Sequence, residues 1–187
     1  MKRGWPMALL AFACVLQWAL PASLALRSER TLRDGARYYL RTAPVDPLDP
    51  FRGRYVTLRF DARTTAAASE RLQDGDAVCV PIRAADDRYA VFGPASRTPP
   101  ASGDYLRARV ARFAGDGTIE LRLPFDRYYL DERAAPAAER AYRDANRRDA
   151  AHEAYVTVRV RDGDAVLEEL FIDNVPVRRM LRAAPAS

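Results

Sequence analysis

From Trp5 to Leu26 the chain carries no charged residue, and that run constrains the fold more than any other feature. It has about the 20 apolar residues that a helix needs to cross a hydrocarbon core. Lys2 and Arg3 precede it and no acid does, which is how a signal peptide begins. Two readings fit. Ser23-Leu24-Ala25 offers small residues at the positions a signal peptidase reads, so cleavage after Ala25 would release the rest of the chain. The run is longer than a usual signal core, however. It continues into Arg27-Ser28-Glu29-Arg30-Thr31-Leu32-Arg33-Asp34, which reads as a helix leaving the membrane and stopping at Gly35. Residues 1–26 are therefore read as a retained signal-anchor, and 27–35 as a helical linker. A buried soluble helix fits worse, because such helices seldom lack a polar face. Arg27, Arg30, Arg33 and Arg37 oppose an inside N-terminus under the positive-inside rule. The short basic start before a long downstream domain favours it.

Of 187 residues, 161 follow the apolar segment, enough for one domain with a real core. Removing Lys2 and Arg3 from the formal charge of +5 leaves that domain at +3. Acids and bases alternate along it without a basic block, which argues against nucleic acid as a partner. Alternation of apolar and polar residues predicts strands over 36–42, 54–60, 77–83, 88–92, 105–113, 118–123, 154–161 and 165–173. Residues 62–72 read as a helical turn or loop, and 93–103 as a loop. Pro81 suggests that its strand lies at a sheet edge. One helix is expected over 134–148, with Pro136 in its first turn. The domain spans 36–175 and a tail spans 176–187. The expected class is mainly β with one helix (α+β), a small antiparallel barrel or sandwich behind an N-terminal transmembrane helix.

The absences narrow the chemistry. His152 is the single histidine, and Lys2 is the single lysine. A serine–lysine pair, Schiff-base chemistry and a phosphate-loop lysine are thereby removed from the domain. One His and one domain cysteine cannot make the usual zinc set, and no cofactor is expected. Cys79, between Val78 and Val80, reads as a small buried hydrophobe. Asp46 and Asp49 lie in a Pro-rich loop, where two acids could hold a cation or act as an acid–base pair. With Glu132 they form the carboxylate alternative, a hydrolase or transferase acting on envelope polymers. Asp before Pro is also an ordinary turn device. The tyrosines at strand positions read chiefly as packing elements, with a stacking surface for a sugar or peptide, or a partner-binding patch, as the alternative.

Two stretches carry a resemblance. Pro44-Val45-Asp46-Pro47 is followed by Gly53-Arg54-Tyr55-Val56-Thr57-Leu58-Arg59-Phe60. Later come Phe125-Asp126-Arg127-Tyr128-Tyr129-Leu130-Asp131-Glu132. In order and spacing they resemble the GDYXXLXY proteins, bacterial proteins anchored at their N-termini. Gly53, Tyr55 and Leu58 match the pattern, while Arg54 replaces its Asp and Phe60 its last Tyr. The resemblance implies a motif set of Pro44, Asp46, Pro47, Gly53, Tyr55, Leu58, Arg127, Tyr128, Tyr129 and Glu132. It also implies an anchored bacterial companion of a multispanning membrane protein. With the charge layout of the anchor and the missing catalytic sets, the expectation is a single-pass inner-membrane protein with a periplasmic domain and a non-catalytic partner role. The Arg54 departure removes a carboxylate, since Arg is neither a metal ligand nor a base near neutral pH.

Overall fold

The computed structural model describes residues 5–42, 55–58, 60, 65–113, 117–129 and 153–179. The protein is mainly β, built of antiparallel sheets with one nearly closed barrel. Helix α1 (Trp5–Asp34) leads into β1 (Ala36–Arg41), β2 (Tyr55–Thr57) and β3 (Thr65–Ala67). Then come β4 (Ala77–Ala84), β5 (Ala90–Phe92), β6 (Tyr105–Phe113), β7 (Thr118–Arg122) and β8 (Arg127–Tyr129). The chain ends in β9 (Ala154–Arg161), β10 (Asp164–Ile172) and β11 (Val175–Pro176), followed by a helical turn at 177–179. The expected helix over 134–148 lies outside the described residues.

The barrel is the five-stranded sheet β3-β7-β6-β4-β5. Past β5 the chain continues alongside β4, where Ser96 exchanges both backbone hydrogen bonds with Cys79, at 2.7 and 3.1 Å. Ala95 meets the first strand: its N–H donates to the Ala67 carbonyl at 2.8 Å, and its carbonyl accepts from Ser69 at 3.0 Å. The last strand thus reaches the first, which is how a small sheet removes its edges. Three expectations change here. Residues 65–67 are a strand, within the 62–72 stretch expected as a helical turn or loop. The loop over 93–103 contributes Ala95 and Ser96 to the barrel wall. And β4 is interior, not an edge, because β6 flanks one side and β5 with Ser96 the other. Pro81 is tolerated because it sits between these two stretches. Its carbonyl accepts the Gly93 N–H at 2.8 Å, and a Cβ on Gly93 would come within 3.0 Å of its ring.

A second sheet, β1-β9-β10-β11, covers the barrel. Direct partners on antiparallel strands share a face, so Leu40, Val156 and Leu170 align on the inner side. They join Val78, Val80, Leu106, Val110 and Ile119 in one continuous core. That core runs beyond residue 175, since β11 pairs with the end of β10 and Val177 is 1% exposed.

α1 runs 30 residues without a break. Its described side chains from Leu10 to Arg30 are exposed, Leu10, Phe12, Trp18, Leu20, Leu24 and Leu26 among them. Among the described residues no helix is long and apolar enough to cross a membrane. The side chains at 5–9, 11, 15 and 16 fall outside that description. Among the described residues of α1 the last turn docks on the protein, with Thr31 at 2% exposure. Gly35 ends the helix as expected, but for a different reason. Its role is close approach: an added Cβ would lie 2.4 Å from the Thr31 carbonyl oxygen and 3.0 Å from that of Val160. Arg159 donates to the Gly35 carbonyl at 2.9 Å, and Arg161 pairs with Asp34 at 2.9 Å.

Candidate functional site

The two sequence landmarks, far apart in the chain, form a single ladder. β2 pairs with β8 so that Tyr55 faces Tyr129, Val56 faces Tyr128 and Thr57 faces Arg127. The ladder continues where the Leu58 N–H donates to the Asp126 carbonyl at 2.8 Å, and Leu58 is buried. Tyr55, Leu58, Arg127, Tyr128 and Tyr129 are thus brought together. Pro44, Asp46, Pro47, Asp49, Gly53 and Glu132, with His152, lie outside the described residues.

Alternation along β8 splits its two tyrosines. Tyr128 is buried in the core, and Tyr129 is 64% exposed. The Tyr128 hydroxyl donates a short hydrogen bond to Glu169. Glu169 follows an irregularity in β10, where the register with β9 shifts between Leu167 and Glu169. The Arg178 Nε lies 3.8 Å from the same carboxylate, and the Arg178 guanidinium lies 5.6 Å from the Tyr128 ring centre. Burial, and then the bond to Glu169, push the Tyr128 phenol far above its ordinary range. It is therefore a hydrogen-bond donor near neutral pH and neither a base nor a nucleophile. Among the described residues no group of three or more His, Cys, Asp or Glu could hold a metal ion. Cys79 is buried and unpaired, as its apolar neighbours predict.

A second constellation lies on the outer face of the covering sheet. Tyr155 of β9 stacks on Phe171 of β10, their directly paired strand position, with ring centres 5.0 Å apart and planes 6° apart. Tyr39 of β1 and Tyr89, just before β5, approach the Tyr155 ring to 5.9 and 6.0 Å. An isolated parallel bridge between Tyr39 and Tyr89 joins the two sheets here. The Tyr89 hydroxyl donates to Glu153 at 2.5 Å, and Arg41 reaches the same carboxylate oxygen at 3.2 Å. The Arg41 guanidinium also lies 4.3 Å from the Tyr89 ring centre, while its Nε is buried without a hydrogen-bond partner. Burial, then the bond to Glu153, raise the Tyr89 phenol. Sequence reasoning favoured packing for the strand tyrosines Tyr39 and Tyr155 over a stacking or partner-binding patch, and did not single out Tyr89. A partial signal existed: Tyr39 and Tyr155 occupy the parity opposite to Leu40 and Val156. Tyr89 lies in the strand expected over 88–92, but that stretch is too short for its alternation to show which face Tyr89 takes.

No curated protein and no solved structure matches the chain. A family model described as GDYXXLXY protein matches residues 17–170. The match takes in the end of α1, both motif strands, the barrel and the central strands of the covering sheet, so the chain belongs to the GDYXXLXY family.

Proposed function

We propose that this protein is a membrane-anchored, non-catalytic partner subunit, held by α1 in the bacterial inner membrane with its β domain in the periplasm. The observation that carries the reading is α1 itself. Six large apolar side chains between Leu10 and Leu26 are 56–76% exposed, and an exposed apolar surface of that extent marks a membrane or a partner. The direct joint at Gly35 adds support, because the helix is built onto the covering sheet and not tethered by a loop. A polar set with strong chemical poise is lacking among the described groups: Tyr128 is locked as a donor, and no metal-binding cluster occurs there. Nothing on the described surface favours the carboxylate-dependent alternative.

Extraction of the full chain from membranes in mild detergent tests the proposal. The protein should fractionate with membranes, keep residues 1–26 by intact mass, and co-purify reproducibly with an integral membrane protein. A soluble periplasmic product beginning at Leu26, or an isolated monomer in repeated purifications, would overturn it.

A further inference from the structure

We propose that the tyrosine cluster on the outer face of the covering sheet is a guanidinium-binding cage. In this structure it is closed by the protein's own Arg88, and it takes an arginine side chain of a partner protein in that residue's place. This names the chemistry of the partner in the reading above, on which it rests.

The cage has the parts that a guanidinium needs. The central carbon of Arg88 lies 4.7, 5.4 and 5.6 Å from the ring centres of Tyr155, Tyr89 and Tyr39. All three fall within the roughly 6 Å over which a cation is attracted to an aromatic face. Acceptors ring the same cation. Arg88 Nη2 donates to Asn174 Oδ1 at 3.1 Å and to the Tyr89 hydroxyl at 3.4 Å, and Glu153 Oε2 stands 3.8 Å away. Flat faces with acceptors at the rim suit a planar cation that carries N–H groups. A quaternary ammonium could use the faces but not the acceptors.

The walls are held without help from Arg88. Tyr155 stacks on Phe171 and donates its hydroxyl to Asn174 at 3.0 Å. Tyr89 is fixed by Glu153 and by Arg41 over its ring. Tyr39 belongs to a strand paired along its length with β9. The cage would therefore keep its shape when emptied, the preorganisation that binding needs.

The occupant is placed to leave. Arg88 comes from the exposed turn between β4 and β5, and its side chain is 45% accessible to water. Its backbone is left-handed, with φ of 67°, as is that of Asn174 across the cage at 64°. For an arginine this conformation is unfavourable, and such strain persists where surrounding contacts enforce it, often at ligand clamps. The turn is closed by its own backbone bonds: the Arg88 N–H donates to Ala85, and the Ala85 N–H donates to Tyr89. The side chain can rotate into solvent while the turn stays in place.

The test is Arg88→Gly in the full-length protein, since Gly accepts the left-handed backbone without strain. Methylguanidinium is titrated and the tyrosine ring resonances are followed. The variant should bind saturably and about tenfold more tightly than the native chain, whose cage is open only in the fraction with Arg88 out. Methylammonium and tetramethylammonium should bind more weakly. Adding Tyr155→Leu should abolish binding. A folded Arg88→Gly protein with no saturable response, or with equal response to all three cations, overturns the cage. Arg88→Gln serves if the Gly variant is unfolded. In co-purification, Arg88→Gly should strengthen partner retention by removing the resident competitor. If methylguanidinium binds but retention is unchanged, the partner assignment fails while the cage stands; if no partner is ever retained, the subunit reading fails.

Discussion

The barrel interior and the outer face of the covering sheet both bury large side chains, by different means. Val78, Val80, Leu106 and Ile119 are at most 2% exposed and belong to one continuous aliphatic core. Tyr89 and Tyr155 are 3% exposed yet stand apart from that core, hemmed in by Arg41, Arg88, Glu153 and Asn174. Aliphatic burial is non-directional and suffices to hold a fold together. A layer of tyrosines and arginines held by directional contacts is the composition of a recognition surface. On the proposed reading, the two regions divide the labour between folding and binding.

The comparison can be broken most forcefully at the aliphatic positions. Leu106→Ala in the barrel and Leu170→Ala in the covering sheet should each cost about 2–5 kcal/mol in chemical denaturation. Both should lower a single shared transition, because the two residues lie in one core; two separated transitions would show two independent units. Tyr128→Phe keeps the ring and removes the donor to Glu169. A loss of about 1–3 kcal/mol is expected, and no loss would mean that Arg178 and the Leu170 N–H, 3.2 Å from the oxygen that Tyr128 bonds, satisfy the carboxylate without Tyr128.

Alkaline pH sharpens the contrast further. Burial, and then a hydrogen bond to Asp104 at 2.8 Å, push the Tyr38 phenol up to about 12, and Tyr128 is raised in the same direction. A raised folded value means that the stabilisation is complete below the unfolded value of about 10 and fades as pH rises through the folded one. Thermal melting followed from pH 9 to 12 should show stability falling above pH 10, as phenolate absorbance grows. Tyr38→Phe should reduce that slope. The smallest effect is expected for Arg107→Ala. The Arg107–Asp164 pair is close, at 3.1 Å, but both side chains are largely exposed, so the change should be at most about 1 kcal/mol.

What could be read from the chain follows the same division. β4, β6, β7 and β9 were legible because one parity in each faces the core, as with Val78, Val80 and Ile82. β3 and Ala95–Ser96 were not. They consist of Ala, Ser and Thr, with no pattern of their own, and their place is set by Ala67, Cys79 and Ile119 on neighbouring strands. Val177 was hidden by a short tail rich in Arg and Ala. Tyr55, Leu58 and Arg127 to Tyr129 were legible as motif residues, but their pairing depends on a long-range ladder that local spacing cannot encode. The tyrosine cage draws on β1, β9, a hairpin turn and the Asn174 turn, so no single stretch carries its signature.

The joint at Gly35 makes α1 and the covering sheet a single lever. At a rise of about 1.5 Å per residue, the 30 residues of α1 extend roughly 45 Å from a fulcrum only one turn deep. Thr31, Asp34 and Gly35 leave no hinge at that fulcrum. A tilt of the helix segment between Pro21 and Gly35 would therefore bear directly on β9 and β10, and so on the face that carries Tyr155.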